Sequence, residues 1–343
     1  MSQVEAALPN LAAILEAGWG TTPKVVRTVH ARWFTGKVLA RCDADDGSWC
    51  LAGSPAADGR RVATSANFHA RLQEAGCRAL PTIRATRAGE FLHQDDTRVW
   101  TLTSWEEGAP EHEHAIWTGS MLEQLGRAVG ELHRLGWWVV PEGAVPQCPP
   151  TNWAGDWTGF DQWAVRRWDT LMSDSEVTTA PELEPLRRCI AVALDALASL
   201  GTPRIRNLTI AHDDLWTEHV LFSQDGRLVA IIDLDGLDAG DGHGDLSALL
   251  SDFANLEPDL CAHVVRGYRS EIDISSEDLV AARATTIRHH ALVLMERIRL
   301  WQDRPDRRAD LIPPTRCWQR SIRTAVDLNA DSWVSAILNA TQL

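Results

Sequence analysis

The stretch that decides the fold is residues 208–246, which read LTIAHDDLWTEHVLFSQDGRLVAIIDLDGLDAGDGHGDL. We predict a strand that ends in the HDD motif at 212–214, and His219 follows five residues after that motif. The Asp-Gly pair at 225–226 lies between two apolar runs and predicts a hairpin turn. The second strand of the hairpin delivers Asp233 to its end, so carboxylates and imidazoles are expected to meet at the ends of neighbouring strands. Such a cluster is costly unless it holds a cation or moves a proton.

The composition is that of an ordinary globular protein, with 45% hydrophobic and 23% charged residues among 343. A chain of this length suits two lobes rather than one small core. Its net charge of −14 argues against a dedicated binder of nucleic acid or of anionic membranes. The seven cysteines include no C-x-x-C pair, which argues against a disulfide framework and against a cysteine zinc site.

No targeting or membrane signal is visible in the sequence. The first residues, MSQVEAALPN, show no basic region followed by an apolar run, so we expect no signal peptide. No run of about 18 apolar residues occurs, so we expect no membrane span. We therefore expect a cytoplasmic protein with no membrane partner and no evident obligate protein partner.

Residues 24–103 contain short runs of β-branched, aromatic and aliphatic residues, which predict a mainly β segment. One predicted helix interrupts it at 66–75, with Gly76 as its C-terminal cap. The resulting order, β-β-β-α-β-β, is typical of an α+β lobe with an antiparallel sheet. The predicted strands are 24–30, 36–42, 48–51, 88–93 and 99–104.

The segment WEEGAP at 105–110 breaks this pattern and indicates a hinge. After it, apolar stripes at helical spacing predict a mainly helical region. We therefore predict an α+β chain with a mainly β N-terminal lobe at 1–104, a hinge at 105–115 and a helical C-terminal lobe at 116–343 that carries the 208–246 block. The predicted helices are 120–136, 182–200, 245–253, 278–300 and one or more within 314–341.

The spacing of Asp214, His219 and Asp233 suits phosphoryl transfer. That reaction needs one acid to orient or deprotonate the acceptor hydroxyl, and two ligands to hold a divalent metal against the phosphates. Protein kinases place an acid, a ligand five residues later and a second acid at the end of the following hairpin. A metal-dependent hydrolase is an alternative, in which His212 and His243 join the same three residues.

The 208–246 block resembles the aminoglycoside phosphotransferase, or choline kinase-like, branch of the protein kinase-like fold. Members of that family show H-G-D-x-x-x-x-N, then I-D-[FW], then G-D-P-x-x-D-L-A. This chain has HDDLWTEH at 212–219, IDLD at 232–235 and GDGHGDL at 240–246. The helix at 125–135 and the segment at 100–108 are also similar to the family. The resemblance implies a two-lobe kinase-like fold whose antiparallel N-terminal lobe binds the nucleotide.

The resemblance also implies an activity, the ATP-dependent transfer of the γ-phosphate to a hydroxyl of a sugar, an amino alcohol or an aminoglycoside-like compound, with Mg²⁺ or Mn²⁺. Asp214 would be the catalytic base, and Asp233 would be the main metal ligand together with His219. Asp235 would be a second-metal or substrate-facing acid. The residues that would support the catalytic loop rather than react are His212 and Asp245.

His219 stands where the family usually has asparagine. Imidazole is a softer ligand than an amide oxygen, so we expect Mn²⁺ to suit the site better than Mg²⁺. The segment DLWTEHVLF at 214–222 is similar to a D-x-W-x-x-H-V-L-F pattern in bacterial branches of the superfamily. This similarity favours a divergent member over an inactive one.

The phosphate-binding Lys or Arg of the third strand is missing, because the family pattern V-L-[KR] falls on Cys50-Leu51-Ala52. The helical glutamate that pairs with it in the family would fall near Ser65. Lys37 on the preceding strand, or Arg61, would then have to reach the ATP phosphates. If neither does so, the chain is a pseudokinase-like protein that binds a ligand or regulates a partner.

Two further sets of candidate residues follow from the resemblance. In the hinge, the residues expected to border the adenine are Ser104, Trp105 and Glu106. Tryptophans also occur where the family builds its acceptor site, and they are candidates for stacking on a sugar or binding a cation. They are Trp153, Trp157 and Trp163.

Overall fold

The structure is a computed structural model that describes residues 10–31, 36–110, 117–142, 144, 147–148, 153–154, 157–197, 199–200, 208–312 and 315–341. The chain divides into two units. The first comprises Met1–Glu111 and Glu218–Asp238, and the second comprises His112–Thr217 and Ala239–Leu343. No helix in the described ranges combines the length and the apolar character needed to cross a membrane.

Strands predominate in the first unit and helices in the second. In the described residues, the strands are β1 (Val25–Ala31), β2 (Val38–Ala44), β3 (Gly47–Pro55), β4 (His93–Gln94), β5 (Arg98–Ser104), β6 (Ala109–Pro110), β7 (Gln147–Cys148), β8 (Trp153–Ala154), β9 (Thr209–Ala211), β10 (Val220–Phe222), β11 (Leu228–Ile231) and β12 (Asp238–Gly240). The helices are α1 (Leu11–Trp19), α2 (Gly59–Glu74), α3 (Gly119–Val139), α4 (Trp157–Met172), α5 (Ser175–Thr179), α6 (Glu184–Leu197), α7 (His243–Ala248), α8 (Pro258–Arg269), α9 (Ser276–Asp303), α10 (Arg308–Leu311), α11 (Arg316–Asp327) and α12 (Ala330–Ala340). A π-helical turn, Leu249–Phe253, continues α7.

The main sheet of the first unit is antiparallel and has the strand order β1-β2-β3-β5-β4. The predicted α+β class with an antiparallel N-terminal sheet is therefore confirmed. The predicted strand at 88–93 is wrong except at its last residue. The backbone N–H of Gly89 donates to the carbonyl of Thr86, and that of Thr86 donates to Glu90. A turn with Gly89 at φ 84° therefore occupies this segment, a conformation that glycine adopts readily.

Helix α1, which the sequence patterns did not predict, covers one face of this sheet. Leu15 and Trp19 of α1 form a buried cluster with Leu51 and Trp100 of the sheet. Gly53 makes room for the indole of Trp100, since a Cβ at this position would lie 2.3 Å from the ring. Burial of these large apolar side chains anchors the sheet from that side, because each contributes about 1.5–3 kcal/mol.

The hairpin β10–β11 belongs to the first unit, although the sequence prediction placed all of 208–246 in the helical lobe. Strand β10 pairs with β11 and also with β6, where Leu221 lies opposite Pro110 and Phe222 opposite Ala109. The backbone N–H of Ile231 donates to the carbonyl of Ala79 at 2.8 Å. These hydrogen bonds tie 218–238 to the sheet unit, so the structural division differs from the predicted boundary.

Helices α3 and α8 of the second unit pack with their backbones in close approach. A Cβ at Gly126 would lie 2.2 Å from the carbonyl oxygen of Val264, and one at Gly267 would lie 1.9 Å from that of Glu123. Real Cβ atoms do not come so near, so both positions require glycine. The second unit also contains a small sheet in the order β8-β7-β12-β9.

Candidate active site

Asp233 lies two residues after the end of β11, with its backbone in the left-handed region at φ 63°. Its Oδ2 lies 3.1 Å from Nε2 of His219, and the backbone N–H of Ile232 donates to the carbonyl of His219 at 2.8 Å. A left-handed backbone is uncommon outside glycine, although aspartate tolerates it better than most residues. The hairpin therefore brings together the two residues that the sequence predicts as metal ligands.

Lys37 precedes β2 and directs its ammonium at two carboxylates. Its Nζ contacts Oδ1 of Asp233 and lies 2.9 Å from Oδ2 of Asp235, and only 12% of the lysine side chain is exposed. Burial alone would lower the pKa of Lys37, but the charges of Asp235 and Asp233 outweigh it and raise that pKa above its ordinary value. The lysine is therefore held charged at this position.

The same contacts act on the acid. Burial tends to raise the pKa of Asp233, but the hydrogen bond with His219 and the charge of Lys37 hold it well below its usual range. Asp233 is therefore an ionised carboxylate at neutral pH, and an ionised carboxylate is the form that binds a cation.

Asp235 is fixed from several sides. Ser54 Oγ donates to its Oδ2 at 3.3 Å, and its carbonyl accepts from Ser65 Oγ at 2.8 Å and from Arg61 Nη1 at 2.7 Å. Ser65 also donates to the carbonyl of Leu237 at 3.0 Å. Helix α2 thus binds the loop after β11 through Ser65, the residue expected near the position of the missing glutamate, and Arg61 is occupied by a backbone carbonyl.

The position of the missing third-strand lysine lies on the sheet face opposite α1. Leu51 faces α1, so the alternation of side chains along β3 turns Cys50 and Ala52 to the other face. Leu39 of β2 lies opposite Ala52 in the register, two residues along from Lys37. The thiol of Cys50 lies close enough to Lys37, Asp233 and Asp235 to be affected by their charges. Burial raises the pKa of this thiol to about 11, and the charge of Lys37 partly opposes the increase. Lys37 therefore reaches Asp233 and Asp235 from the position directly before the neighbouring strand β2.

In the second unit, Asp245 at the start of α7 holds the HDD motif in place. Its Oδ2 accepts from the backbone N–H of His212 at 2.7 Å, and its Oδ1 accepts from that of Asp213 at 2.9 Å. His133 Nε2 lies 3.0 Å from Oδ2 as well. Burial would raise the pKa of Asp245, but His133 and His212 keep it below its ordinary value. This buried carboxylate fixes the backbone of the HDD motif by accepting two of its N–H hydrogen bonds.

Asp214 follows His212 and Asp213, whose backbone N–H groups donate to Asp245, and it is partly exposed. Its Oδ1 accepts a hydrogen bond from Nε1 of Trp216, and its backbone N–H donates to Nδ1 of His212 at 3.3 Å. Since Nδ1 of His212 accepts here, the proton of a neutral His212 lies on Nε2. The contact with Trp216 orients the carboxylate, and the sequence patterns gave no sign of it.

His133 and Tyr268 extend this support and were also missed. Nδ1 of His133 lies 2.7 Å from the hydroxyl of Tyr268, and both side chains are buried. Tyr268 is the one tyrosine of the chain. The sequence offered no pattern for the contact between His133 and Tyr268 beyond the rarity of tyrosine, because the two residues lie on separate helices, α3 and α8.

His243 does not present an open ligand for the hydrolase alternative. Its Nδ1 lies 3.3 Å from Asp241 and its Nε2 lies 3.5 Å from Asp278. Burial lowers the pKa of His243, but the two carboxylates outweigh burial and raise it to about 9. A protonated imidazole between two carboxylates cannot ligate a metal.

The hinge residues are linked to the sheet through their backbones. The N–H of Ser104 donates to the carbonyl of Thr82 at 2.8 Å, and the N–H of Trp105 donates to that of Ser48 at 2.9 Å. The hydroxyl of Ser104 donates to the carboxylate of Glu106. The backbone N–H groups of Ser104 and Trp105 therefore already donate to carbonyls of the first unit.

Of the three predicted acceptor tryptophans, the structure describes one side chain. The side chains of Trp153 and Trp157 lie outside the described residues. Trp163 lies on α4, 5.8 Å from the ring of Phe160 and beneath the guanidinium of Arg167 at 5.6 Å. It lines an open cleft of about 540 Å³ with residues of α4 and α9.

The His219–Asp233 pair fits the ligand set of a divalent cation. Two ligands at neighbouring positions of an octahedral ion with bonds of about 2.1 Å lie about 3 Å apart. The 3.1 Å between Nε2 of His219 and Oδ2 of Asp233 is a hydrogen-bond distance and also equals that separation, so a cation that binds both atoms displaces the proton of Nε2. A carboxylate suits Mg²⁺ and Mn²⁺ alike, whereas the imidazole shifts the preference toward Mn²⁺.

Residues 38–279 match the model of the family APH, described as the phosphotransferase enzyme family. The match covers well over half of the chain. The chain belongs to this phosphotransferase family. No curated protein sequence matches it.

Solved structures of phosphotransferases and kinases share its fold. Spectinomycin phosphotransferase APH(9)-Ia, in complex with ADP and spectinomycin, is 13% identical with a TM-score of 0.65, over 97% of this chain and 98% of that chain. An aminoglycoside phosphotransferase from Alicyclobacillus acidocaldarius is 12% identical with a TM-score of 0.62, over 99% and 98%. The microcompartment-associated aminopropanol kinase is 18% identical with a TM-score of 0.58, over 91% and 90%. The likeness confirms the kinase-like fold.

The middle residue of the HDD motif departs from the H-G-D pattern of the phosphotransferase family. Asp213 occupies the position of the glycine and has φ 61°. This is the left-handed region, which glycine enters freely and aspartate more readily than most other residues. The structure therefore keeps the backbone conformation for which a glycine is suited and adds a carboxylate there.

Proposed function

We propose that the protein is an ATP-dependent phosphotransferase that moves the γ-phosphate to a hydroxyl of a small molecule, such as a sugar, an amino alcohol or an aminoglycoside-like compound. The family supports the reaction class. The observation that carries the proposal is the buried ammonium of Lys37 against Asp233 and Asp235. A fixed cation beside a metal-binding aspartate is what the phosphates of ATP require.

Asp214 is proposed as the catalytic base. The acceptor oxygen forms a bond to the γ-phosphorus, the bond from that phosphorus to the bridging oxygen breaks, and ADP leaves. The carboxylate of Asp214 takes the proton of the acceptor hydroxyl, and the indole N–H of Trp216 donates to its Oδ1. Asp245 keeps the motif in position through the backbone N–H groups of His212 and Asp213.

Asp233 and His219 are proposed to hold Mg²⁺ or Mn²⁺, with Asp235 as a second-metal or substrate-facing acid. When bound, the ion supplies positive charge to the phosphate oxygens. Lys37 is proposed to bind the same phosphates in place of the missing third-strand lysine. Arg61 is the weaker candidate, because it donates to the carbonyl of Asp235.

The adenine of ATP is assigned to the hinge segment. Ser104, Trp105 and Glu106 are proposed to border the adenine. The N–H groups of Ser104 and Trp105 donate within the sheet unit. Recognition of the base would therefore rest on carbonyl oxygens and on side chains of this segment.

The test compares wild-type protein with Asp214→Ala, and with Asp225→Ala as a control in the exposed hairpin turn. A panel of sugars, amino alcohols and aminoglycosides is screened for ATP-dependent phosphorylation by ³¹P NMR, and nucleotide affinity is measured by calorimetry. Asp214→Ala should lower turnover by about 10²- to 10⁴-fold, the usual contribution of a general base, and leave nucleotide affinity unchanged. Turnover at the wild-type rate would show that the base assignment is wrong.

The regulatory alternative predicts a different result for the wild-type protein. The absence of a lysine at position 52 and of a glutamate at position 65 favours that alternative. It predicts nucleotide binding without phosphate transfer to any acceptor, even in single-turnover reactions. The phosphotransferase proposal predicts a phosphorylated product in the same reactions.

A further inference from the structure

Trp216, two residues after Asp214, contacts three other rings of the second unit. Its ring centroid lies 5.9 Å from that of His289, 6.4 Å from that of His290 and 5.4 Å from that of Trp318. The two histidines lie 5.5 Å apart. These four side chains, which we name the ring cluster, come from the segment after the HDD motif and from helices α9 and α11.

The ring cluster has an exposed front and a buried back. Trp216 and His289 are partly exposed, as is Asp214, whose carboxylate accepts from the indole N–H of Trp216. His290 and Trp318 are buried, with 2% and 7% exposed. The front therefore consists of the partly exposed parts of two rings, and the indole N–H of Trp216 links it to the proposed base.

The front of the cluster carries no positive charge at neutral pH. Burial lowers the pKa of His289 to about 4, and the neighbouring His290 adds to that shift. Trp216 is uncharged. The guanidinium of Arg297 lies over the ring of Trp318, which belongs to the buried back of the cluster. A ligand beside Asp214 thus meets two uncharged rings, which pack against each other edge to face at 88°.

Behind this front, two polar ring atoms have no hydrogen-bond partner among the described residues. They are Nδ1 of His290 and Nε1 of Trp318. Nε2 of His290 lies 3.4 Å from Oδ1 of Asp252. Buried polar atoms in native proteins are nearly always paired, either directly or through an ordered water.

We propose that the ring cluster is the acceptor subsite, and that the acceptor carries an aromatic or other flat, uncharged face next to the hydroxyl that receives the phosphate. Neutral rings bind flat apolar faces by stacking and edge contacts. The inference rests on the proposed function, because it takes Asp214 to be the base.

Two glycosides with identical hydroxyls test the subsite directly. Phenyl β-D-glucopyranoside and methyl β-D-glucopyranoside differ only in the ring that the cluster would bind. Their affinities for the full-length protein are measured by calorimetry and saturation-transfer NMR without ATP. The phenyl compound should bind at least about tenfold more tightly. Equal affinities, or binding of neither compound, would overturn the proposal.

Variants assign the preference to the cluster. Trp216→Ala and His289→Ala should each abolish most of the preference for the phenyl glycoside. Trp138→Ala and His263→Ala are the controls and should keep that preference. Trp138 is 81% exposed, and His263 lies on α8. Trp216→Phe keeps a ring and loses the hydrogen bond to Asp214, so it should retain the preference. This variant guards against a loss caused by misfolding. A preference that survives Trp216→Ala in folded protein would place the phenyl site elsewhere.

Binding and transfer are scored separately in this design. If the phenyl preference depends on Trp216 but no acceptor of any class is phosphorylated, the subsite stands and the phosphotransferase proposal fails. If acceptors are phosphorylated while the two glycosides bind equally, the phosphotransferase proposal stands and the subsite proposal fails.

Discussion

The ammonium of Lys37 lies 2.9 Å from the carboxylate of Asp235, a residue of the loop that follows β11. The same carboxylate accepts a hydrogen bond from Ser54 on β3. In the family pattern the corresponding lysine would stand at Ala52 and its acidic partner near Ser65. In this structure a lysine directly before the neighbouring strand β2 instead pairs with an aspartate of the loop after β11.

Replacing Lys37 with alanine should lower kcat/KM for ATP by about 100-fold, the usual loss when one donor to a reacting anion is removed. Steady-state kinetics with varied ATP measure it. Lys24→Ala is the matched control, because Lys24 is the only other lysine and forms an exposed ion pair with Asp45. An unchanged kcat/KM in Lys37→Ala would remove the phosphate-binding role.

Returning the lysine to the position of the family pattern should recover part of that loss. The double variant Lys37→Ala with Ala52→Lys places an ammonium on the same sheet face, opposite Leu39 in the register. We expect a kcat/KM for ATP between those of the wild type and of Lys37→Ala. A double variant no better than Lys37→Ala would mean that the environment of Ala52 no longer accepts a phosphate-binding cation.

His219→Asn should shift the metal preference from Mn²⁺ toward Mg²⁺, by roughly tenfold in the ratio of the two activities, because an amide oxygen is a harder ligand than imidazole. Initial rates with each ion at saturating ATP measure the ratio. His69→Asn is unsuitable as a control because His69 is buried, whereas His263→Asn changes a partly exposed histidine of α8. A ratio that does not respond would argue that His219 is not a ligand.

The stability of the second unit should fall as the pH rises from about 6.5 to about 9. The pKa of His243 is raised from 6.5 to about 9 by Asp241 and Asp278, which overcome the effect of burial. Folding therefore takes up a proton between these values, and the stabilisation present below pH 6.5 is lost as the pH rises through 9. In His243→Gln the unfolding temperature should vary less over this range. Parallel curves for the two proteins would refute the assignment.

Gly267→Ala should destabilise the second unit by about 2–4 kcal/mol, because the new Cβ would overlap the backbone of α3. The overlap is with the carbonyl oxygen of Glu123, at 1.9 Å. Gly59→Ala is the control, because its Cβ would meet only Val99 at 3.4 Å. That helical substitution should be neutral or slightly stabilising. Chemical denaturation of both variants gives the comparison.

Local signals in the sequence predicted much of the sheet unit. Alternating apolar residues and the Asp-Gly turn located the hairpin that carries Asp233, since hairpin geometry depends on a few neighbouring residues. Helix α4 was missed because its tryptophans and polar residues form no aliphatic stripe. Contacts between distant segments, such as Trp216 with His289 or Ser65 with the carbonyl of Asp235, depend on packing and have no local signature.

The first unit is built from two segments that lie far apart in the chain, and this has a consequence for biosynthesis. Strand β6 at Ala109–Pro110 finds its partner only when β10, more than a hundred residues later in the chain, has been made. When the chain has been made only as far as β6, the sheet β11-β10-β6 still lacks two of its three strands, and β6 is an unpaired edge. The long helix α3 and its successors leave the exit tunnel before that edge is closed. In this protein the N-terminal unit completes its fold during translation only after much of the second unit has already emerged.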